Sequence, residues 1–154
     1  MKRASARGWL IAGTMLAAGG CAPSPRAGPV NGASVMSSGT SPHAYLASSN
    51  DGCFIVGFTP RPDPIPMNEV FGLTVAVFDG ARPDEPLGDA VLAVDAAMPA
   101  HRHGMNRVPR IIAKGDGSFE VTGVLFHMPG HWELYFDVTR GGVTERAQID
   151  IDLE

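Results

Sequence analysis

The sequence is short of the features that mark most nucleic-acid-binding proteins, transmembrane proteins and common enzyme classes. It has 2 cysteines in 154 residues, 7% aromatic residues, and 12 Lys and Arg against 16 Asp and Glu. Beyond the N-terminus it has no cluster of basic residues, and no apolar run reaches the roughly 18 residues that a transmembrane helix needs. A glycine-rich phosphate loop, a Gly-x-Ser-x-Gly motif and an obvious acid–base pair of carboxylates are also missing. We therefore predict a protein that is not an enzyme and that binds neither nucleic acid nor a small-molecule substrate.

Glycine and proline are abundant, and the segments between them alternate with period two. The 19 glycines and 13 prolines suit short strands joined by turns better than a helical bundle. Near the C-terminus Ala147, Ile149, Ile151 and Leu153 alternate with polar residues. The pattern predicts an all-β fold, an immunoglobulin-like antiparallel β-sandwich of about seven strands. The predicted strands are 53–58, 70–78, 91–97, 108–113, 118–126, 131–139 and 147–153.

Residues 1–20 have the features of a secretory signal. Basic residues precede an apolar stretch, 8–18, and small residues follow up to Cys21. The segment Leu16–Cys21 resembles a bacterial lipobox, which implies that Cys21 is lipidated and becomes the first residue of the mature protein. The alternative is an ordinary signal peptidase site nearby. We expect an exported lipoprotein, anchored to the membrane by its acyl chains and facing the periplasm or the cell exterior.

Residues 21–50 are predicted to be a flexible tether and residues 51–154 the folded domain. Between Ala22 and Asn50, 19 of the 29 residues are Ser, Pro, Gly or Ala, and Arg26 is the single charged residue. Such a segment buries too little apolar surface to fold. A chain that begins at Asp51 is therefore expected to be about as stable as the full-length protein.

Cys53 has three interpretations at this stage. It opens an apolar run, which favours a buried small hydrophobic side chain. A role as a metal ligand is the second interpretation. The third, a disulfide between Cys21 and Cys53, requires that Cys21 carries no lipid.

Two short segments concentrate the histidines and methionines of the chain. Met98–His101 and Met128–His131 share the pattern Met-Pro-small-His, and four of the five histidines lie in or beside them. Each segment follows or precedes a predicted strand, at a point where Pro and Gly turn the chain. Because loops from different strands cluster at the two ends of a sandwich, we expect both segments at a common rim.

The local backbone around the first segment is also predictable. Pro99 restricts the residue before it, so Met98 is expected to stay extended at the end of its strand. His101 and His103 alternate with Arg102, and an extended backbone would direct both imidazoles to the same side.

Thioether and imidazole together form a soft-to-intermediate donor set. They suit Cu(I) through Met and His, and Cu(II) through His, whereas zinc has little use for thioethers and hard cations need oxygen ligands. The competing interpretation is structural, with Met filling the core and His bonded to a carbonyl. The candidate metal ligands are Met98, His101, His103, Met105, His127, Met128 and His131, and copper, with Cu(I) favoured, is the expected metal.

The segments 98–105, 117–121 and 126–134 together resemble the YtkA-like domain family. That family is similar in pattern to the FixH-type proteins associated with copper-oxidase assembly. The resemblance covers residues 51–154, and its most specific part is the Met-Pro-x-His-x-His-Gly core, in which Arg102 stands where a small residue, commonly Gly, is usual. It implies an immunoglobulin-like sandwich in exported or membrane-attached bacterial proteins, copper handling, and a membrane copper protein or oxidase as partner.

Two functional hypotheses follow. The first is an extracytoplasmic, lipid-anchored copper-binding domain that acts as a metallochaperone or a buffer. The second is an interaction module whose loops dock a membrane-protein partner without metal. A copper redox enzyme is disfavoured, since it would need an open coordination position and a substrate pocket that nothing in the sequence indicates.

Overall fold

The computed structural model describes residues 45–154; the predicted signal, Cys21 and most of the predicted tether lie outside that range. Nine β-strands and one short 3-10 helix, Pro99–His101, make up the described chain. Within this part of the chain no helix is long and apolar enough to cross a membrane. The strands are β1 (Tyr45–Ser48), β2 (Phe54–Arg61), β3 (Val70–Asp79), β4 (Val91–Met98), β5 (His103–Gly104), β6 (Arg110–Ala113), β7 (Ser118–Leu125), β8 (Gly130–Arg140) and β9 (Val143–Leu153).

The strands form two antiparallel sheets in a sandwich arrangement, which confirms the predicted all-β, immunoglobulin-like class. One sheet has the order β1-β2-β3-β7-β6 and the other the order β5-β4-β8-β9. Each of the seven predicted strands overlaps an observed one. The two additional strands, β1 and β5, have four and two residues, too few to produce a recognisable alternation in the sequence.

The core lies between the inner faces of the two sheets. Phe58 of β2 and Phe136 of β8 meet there with ring centroids 5.1 Å apart, and both are fully buried. The alternation of β9 appears as predicted, since Ala147, Ile149 and Ile151 are buried while their polar neighbours are exposed. Packing between the sheets therefore follows directly from the period-two pattern.

Tyr45–Ser48, inside the segment predicted as tether, form strand β1 and belong to one of the two sheets. β1 pairs with β2, and the ring of Tyr45 stacks on Phe58 with centroids 4.9 Å apart. The buried Ser49 donates a hydrogen bond to Oε2 of the buried Glu145 at 2.6 Å. Backbone pairing, the aromatic stack, the buried Ala47 and the hydrogen bond of Ser49 hold this segment, and only Ala47 and Tyr45 contribute apolar surface to the core.

Cys53 packs against the core and is half-buried, which agrees with the apolar interpretation of its position. It is also disulfide-bonded. A sulfur in a disulfide is not a metal ligand, so the second interpretation of Cys53 is not supported.

Candidate metal-binding site

One end of the sandwich carries most of the predicted ligands. The connection 99–109 follows β4, the connection 126–129 joins β7 to β8, and the connection 62–69 joins β2 to β3 at the same end. We call this end, with the side chains of His101, His103 and His127, the imidazole end. The common rim predicted from the sequence is thus present in the fold.

The first Met-Pro-small-His segment is a strand end followed by one turn of 3-10 helix. Met98 is extended, with φ −108° and ψ 96°, as Pro99 requires. Arg102 is left-handed, with φ 56°, and its N–H donates to the carbonyl of Pro99. The backbone through Arg102 is therefore not extended, and the predicted reason for the proximity of His101 and His103 is wrong. The turn itself brings their rings to 5.8 Å.

The left-handed conformation explains why a small residue suits position 102 and predicts a stability change. Arg102→Gly removes a steric cost of about 1–2 kcal/mol from the folded state. Because glycine also makes the unfolded chain more flexible, the free energy of unfolding is expected to rise by only about 0.5 kcal/mol. Arg107→Gly is the matched control, because Arg107 lies in the same connection without a positive φ. The free energy of unfolding of this control variant, measured by denaturant titration, should fall by about 0.5 kcal/mol. If both variants lose equal stability, the turn imposes no strain at Arg102.

A β-bulge in β7 sets the direction of His127. Val121 is buried, the register against β3 then shifts at Gly123 (φ 87°), and the next buried residues are Val124 and Phe126. Without the extra residue, period two would continue inward and carry His127 into the core. The bulge puts Phe126 inside and leaves His127 half-buried at the rim.

Three imidazoles form a row across the imidazole end. The ring of His103 lies between the other two, 5.8 Å from His101 and 5.1 Å from His127 by ring centroids. His101 is exposed, whereas His103 and His127 are half-buried. Nδ1 of His127 is the one buried side-chain nitrogen or oxygen among residues 45–154 with no hydrogen-bond partner. A buried polar atom without a partner costs about 1–3 kcal/mol, unless a ligand takes its lone pair.

Trp132 forms the inner wall of this row. Its ring meets His103 and His127 edge-on, at 6.0 Å and 5.4 Å, and stacks on Phe126 at 4.9 Å. Its Nε1 donates to the carbonyl of Met128 at 3.0 Å, so the indole also anchors the connection that carries His127. Trp132 is not among the ligands predicted from the sequence, although it directly follows the second Met-Pro-small-His segment.

The methionines differ in their access to the rim. Met98 is 1% exposed, and its terminal methyl lies 3.1 Å from where a Cβ of Gly130 would be, so the two repeated segments contact each other there. Met105 and Met128 are half-buried and pack against the core from the imidazole end. Met98 occupies a core position, whereas Met105 and Met128 are partly accessible and lie close in the chain to His103 and His127.

His131 points away from the row, onto the outer face of its sheet. It follows the inward–outward alternation of β8, in which Trp132 is buried and His131 exposed. Its Nδ1 contacts Oδ1 of Asp152 at 2.9 Å, and its Nε2 lies 3.9 Å from Oδ1 of Asp150. The hydrogen bond to Asp152 is the main cause that raises the pKa of His131.

His131 belongs to a separate group that could hold a metal ion. Ligand atoms of His131, Glu133 and Asp150 all lie within 4.8 Å of one another. Glu133 and Asp150 are direct cross-strand partners in β8 and β9. Burial and a hydrogen bond to Glu133 raise the pKa of Tyr135 to about 12. The group is largely exposed, and the sequence signal for it was the row of acidic residues on the outer face of β9.

The chain was compared with protein-family models, curated proteins and solved structures. No family model, no curated protein and no solved structure matches the chain.

Proposed function

We propose that this protein is an extracytoplasmic copper-binding domain of YtkA-like type, lipid-anchored at Cys21, that buffers copper or passes it to a membrane copper protein. The proposal includes no enzymatic activity. The observation that carries it is the buried Nδ1 of His127, which has no hydrogen-bond partner in the described structure and belongs to a ring beside that of His103.

The ring separations fit two imidazoles on one ion. A metal bound at about 2.0 Å to an imidazole nitrogen lies about 3.2 Å from the ring centroid, once the ring radius is added. Two such rings with centroids 5.1 Å apart, the separation of His103 and His127, subtend about 105° at the metal, close to a tetrahedral angle. His101 is exposed, and among the described residues its nitrogens do not lie with those of both other histidines within 4.8 Å of one another, so a third imidazole ligand would require a side-chain rotation.

The thioethers favour the softer oxidation state. Met105 lies two residues after His103 in the chain and Met128 directly follows His127, and both are half-buried. Their sulfur atoms suit Cu(I) better than Cu(II) or zinc. Met98 is assigned to core packing, because its side chain is enclosed under Gly130. His131 is likewise left out of this site, because it faces the opposite side of its sheet.

An open rim suits exchange of the metal. His101 is exposed and His103 half-buried, so an acceptor can approach the ion without unfolding the domain. A buffer or a metallochaperone needs this accessibility, in contrast to a structural site that encloses its ion. The association with copper-oxidase assembly rests on the family resemblance.

The lipid anchor rests on the sequence before Cys21 alone. Cys53 is disulfide-bonded, and Cys21 is the one other cysteine in the sequence. A disulfide within the chain would therefore leave no thiol at Cys21 for acylation. Lipid and disulfide are thus competing fates of one sulfur atom, and the intact mass of the mature protein distinguishes them.

The metal proposal is tested by copper loading under ascorbate, followed by competition with a Cu(I) chelator. We expect about one Cu(I) per chain, with little zinc bound in parallel titrations. Replacing His103 and His127 together with alanine should remove most of this binding. Met105→Leu with Met128→Leu should weaken Cu(I) far more than Cu(II), because these changes nearly conserve volume and remove only sulfur. Binding should weaken in acid, because protons compete with the metal for the imidazole nitrogens.

His131→Ala is the control, since this histidine lies on the outer face of the sheet and outside the row. The variant should retain the affinity of the unmodified protein for Cu(I). If His131→Ala abolishes binding while the double variant keeps it, the metal belongs to the group with Glu133 and Asp150. A protein that takes up no copper at micromolar concentration would leave the interaction module as the better hypothesis.

A further inference from the structure

We propose that the imidazole end is a docking surface for a carboxylate-rich surface of a partner protein. The proposal goes beyond copper binding and does not depend on it, because it rests on the charges and apolar side chains around the row and not on the imidazoles.

The cationic side chains of the described chain fall into two groups that differ in both pairing and position. Eight Lys and Arg occur in residues 45–154. Four of them form ion pairs with Asp or Glu, and four form none within the described residues. The paired ones are Arg82, Lys114, Arg140 and Arg146, away from the imidazole end. The unpaired ones are Arg61, Arg102, Arg107 and Arg110, and all four lie at the imidazole end.

The register of one sheet places two of the unpaired arginines in a single row. Arg61 pairs with Gly72, Gly72 with Thr122, and Thr122 with Arg110. Three strand spacings separate the two arginines, about 14 Å. Both are exposed, and Gly72 and Thr122 lie between them. Glu120, two residues before Thr122 in β7, forms an ion pair with Lys114, and its pKa is lowered by Lys114 and to a smaller extent by the charge of Arg61. The row is thus cationic at both ends, with little side-chain bulk in the middle.

The other two unpaired arginines lie in the connection that carries the imidazoles. Arg102 separates His101 from His103, and Arg107 follows a few residues later; both are exposed. Asp63 and Glu69 lie in the connection 62–69 at the same end, and no ion pair ties either of them to these arginines in the described structure. The guanidinium groups are therefore available to an incoming anion.

Apolar side chains are exposed at the same end. Met67, Val70 and Val108 are 44%, 50% and 94% exposed. They are three of the six large hydrophobic side chains that are exposed among residues 45–154. Exposed apolar groups beside unpaired arginines are typical of protein interfaces, which are enriched in Arg and depleted in Lys.

The unpaired arginines and exposed apolar side chains of the imidazole end favour a protein over a phospholipid surface as the binding partner. The guanidinium fork matches a carboxylate in bidentate geometry, and every unpaired cation here is an arginine. Residues 45–154 carry 16 Asp and Glu against 8 Lys and Arg, a formal charge of 8 − 16 = −8. An anionic bilayer, with its extended negative surface, would repel most of the domain, whereas a carboxylate cluster of limited size meets only the arginine-rich end.

The test uses the full-length chain, expressed without export so that Cys21 carries no lipid, and kept metal-free with a chelator. An oligoglutamate peptide is titrated at low salt while backbone amide shifts are recorded by NMR. We expect the shifts to concentrate at Arg61 and in 99–110, and the affinity to fall steeply with added salt. Arg102→Glu with Arg107→Glu should weaken binding by about tenfold or more. Arg82→Glu with Lys114→Glu, which changes the net charge equally at paired positions, should weaken it less than about threefold.

Three outcomes would overturn the proposal. The first is an absence of binding at low salt. The second is an equal loss in the two double variants, which would mean that net charge alone is sensed. The third is arginine-dependent binding to phosphatidylglycerol vesicles without binding of the peptide, which would assign the surface to a membrane. Thermal melts confirm folding of the variants, and the shifts of the unmodified protein locate the surface independently. Because no metal is present, the result stands apart from that of the copper titration.

Discussion

Replacing Trp132 with alanine is expected to lower the free energy of unfolding by about 3–5 kcal/mol. The side chain is fully buried and is the largest in the core. It stacks on Phe126 and forms the inner wall of the imidazole row, so its removal leaves a cavity between the core and His103 and His127. A denaturant titration followed by far-UV circular dichroism measures the loss.

Trp132→Phe separates packing from the hydrogen bond. Phenylalanine keeps most of the buried ring but cannot donate to the carbonyl of Met128. The expected cost is about 1–2 kcal/mol. Copper affinity should nevertheless fall by about tenfold, because the connection that carries His127 loses its anchor. If Trp132→Phe changes stability but leaves the copper affinity intact, the indole supports the fold and does not position the ligands.

The architecture was predictable because the core uses one residue pattern throughout. β9 alternates cleanly, and its apolar residues Ala147, Ile149 and Ile151 are those that are buried. The short strand β1 was not predicted from this pattern. β1 is held by backbone hydrogen bonds, by the ring of Tyr45 and by the buried Ala47, in a segment rich in Ser and Ala. Strand order is also invisible to periodicity, since it depends on contacts between distant parts of the chain.

The candidate site was predictable in its residues and unpredictable in its geometry. Repetition of Met-Pro-small-His drew attention to the rim, and the fold brings His101, His103 and His127 together there. The bulge at Gly123 and the left-handed turn at Arg102 depend on tertiary contacts, and both decide where an imidazole points. The direction of His131, in contrast, was predictable from the sequence. The strand alternation that places Trp132 in the core necessarily places His131 on the opposite face.

A chain that begins at Asp51 is expected to be less stable than one that begins at Tyr45 by about 3–5 kcal/mol. The shorter chain lacks β1 and exposes the edge of β2. It also uncovers Phe58, on which Tyr45 stacks, and removes the hydroxyl that donates to Oε2 of the buried Glu145. Both chains contain Cys53 and neither contains Cys21, so the two chains do not differ in cysteine content. Since small domains have about 5–15 kcal/mol in total, the shorter chain should melt at a clearly lower temperature.

Single substitutions in the longer chain show which contact is responsible. Ser49→Ala leaves the carboxylate of Glu145 with the backbone N–H of Cys53 as its remaining donor in the described structure, and should cost about 1–3 kcal/mol. Tyr45→Ala tests the aromatic stack, with an expected loss of about 1–2 kcal/mol. Leu46→Ala is the control on the same strand, because its side chain is exposed and should contribute less than about 0.5 kcal/mol. Equal melting temperatures for the chains that begin at Tyr45 and Asp51 would return residues 45–50 to the tether, as their composition alone predicts.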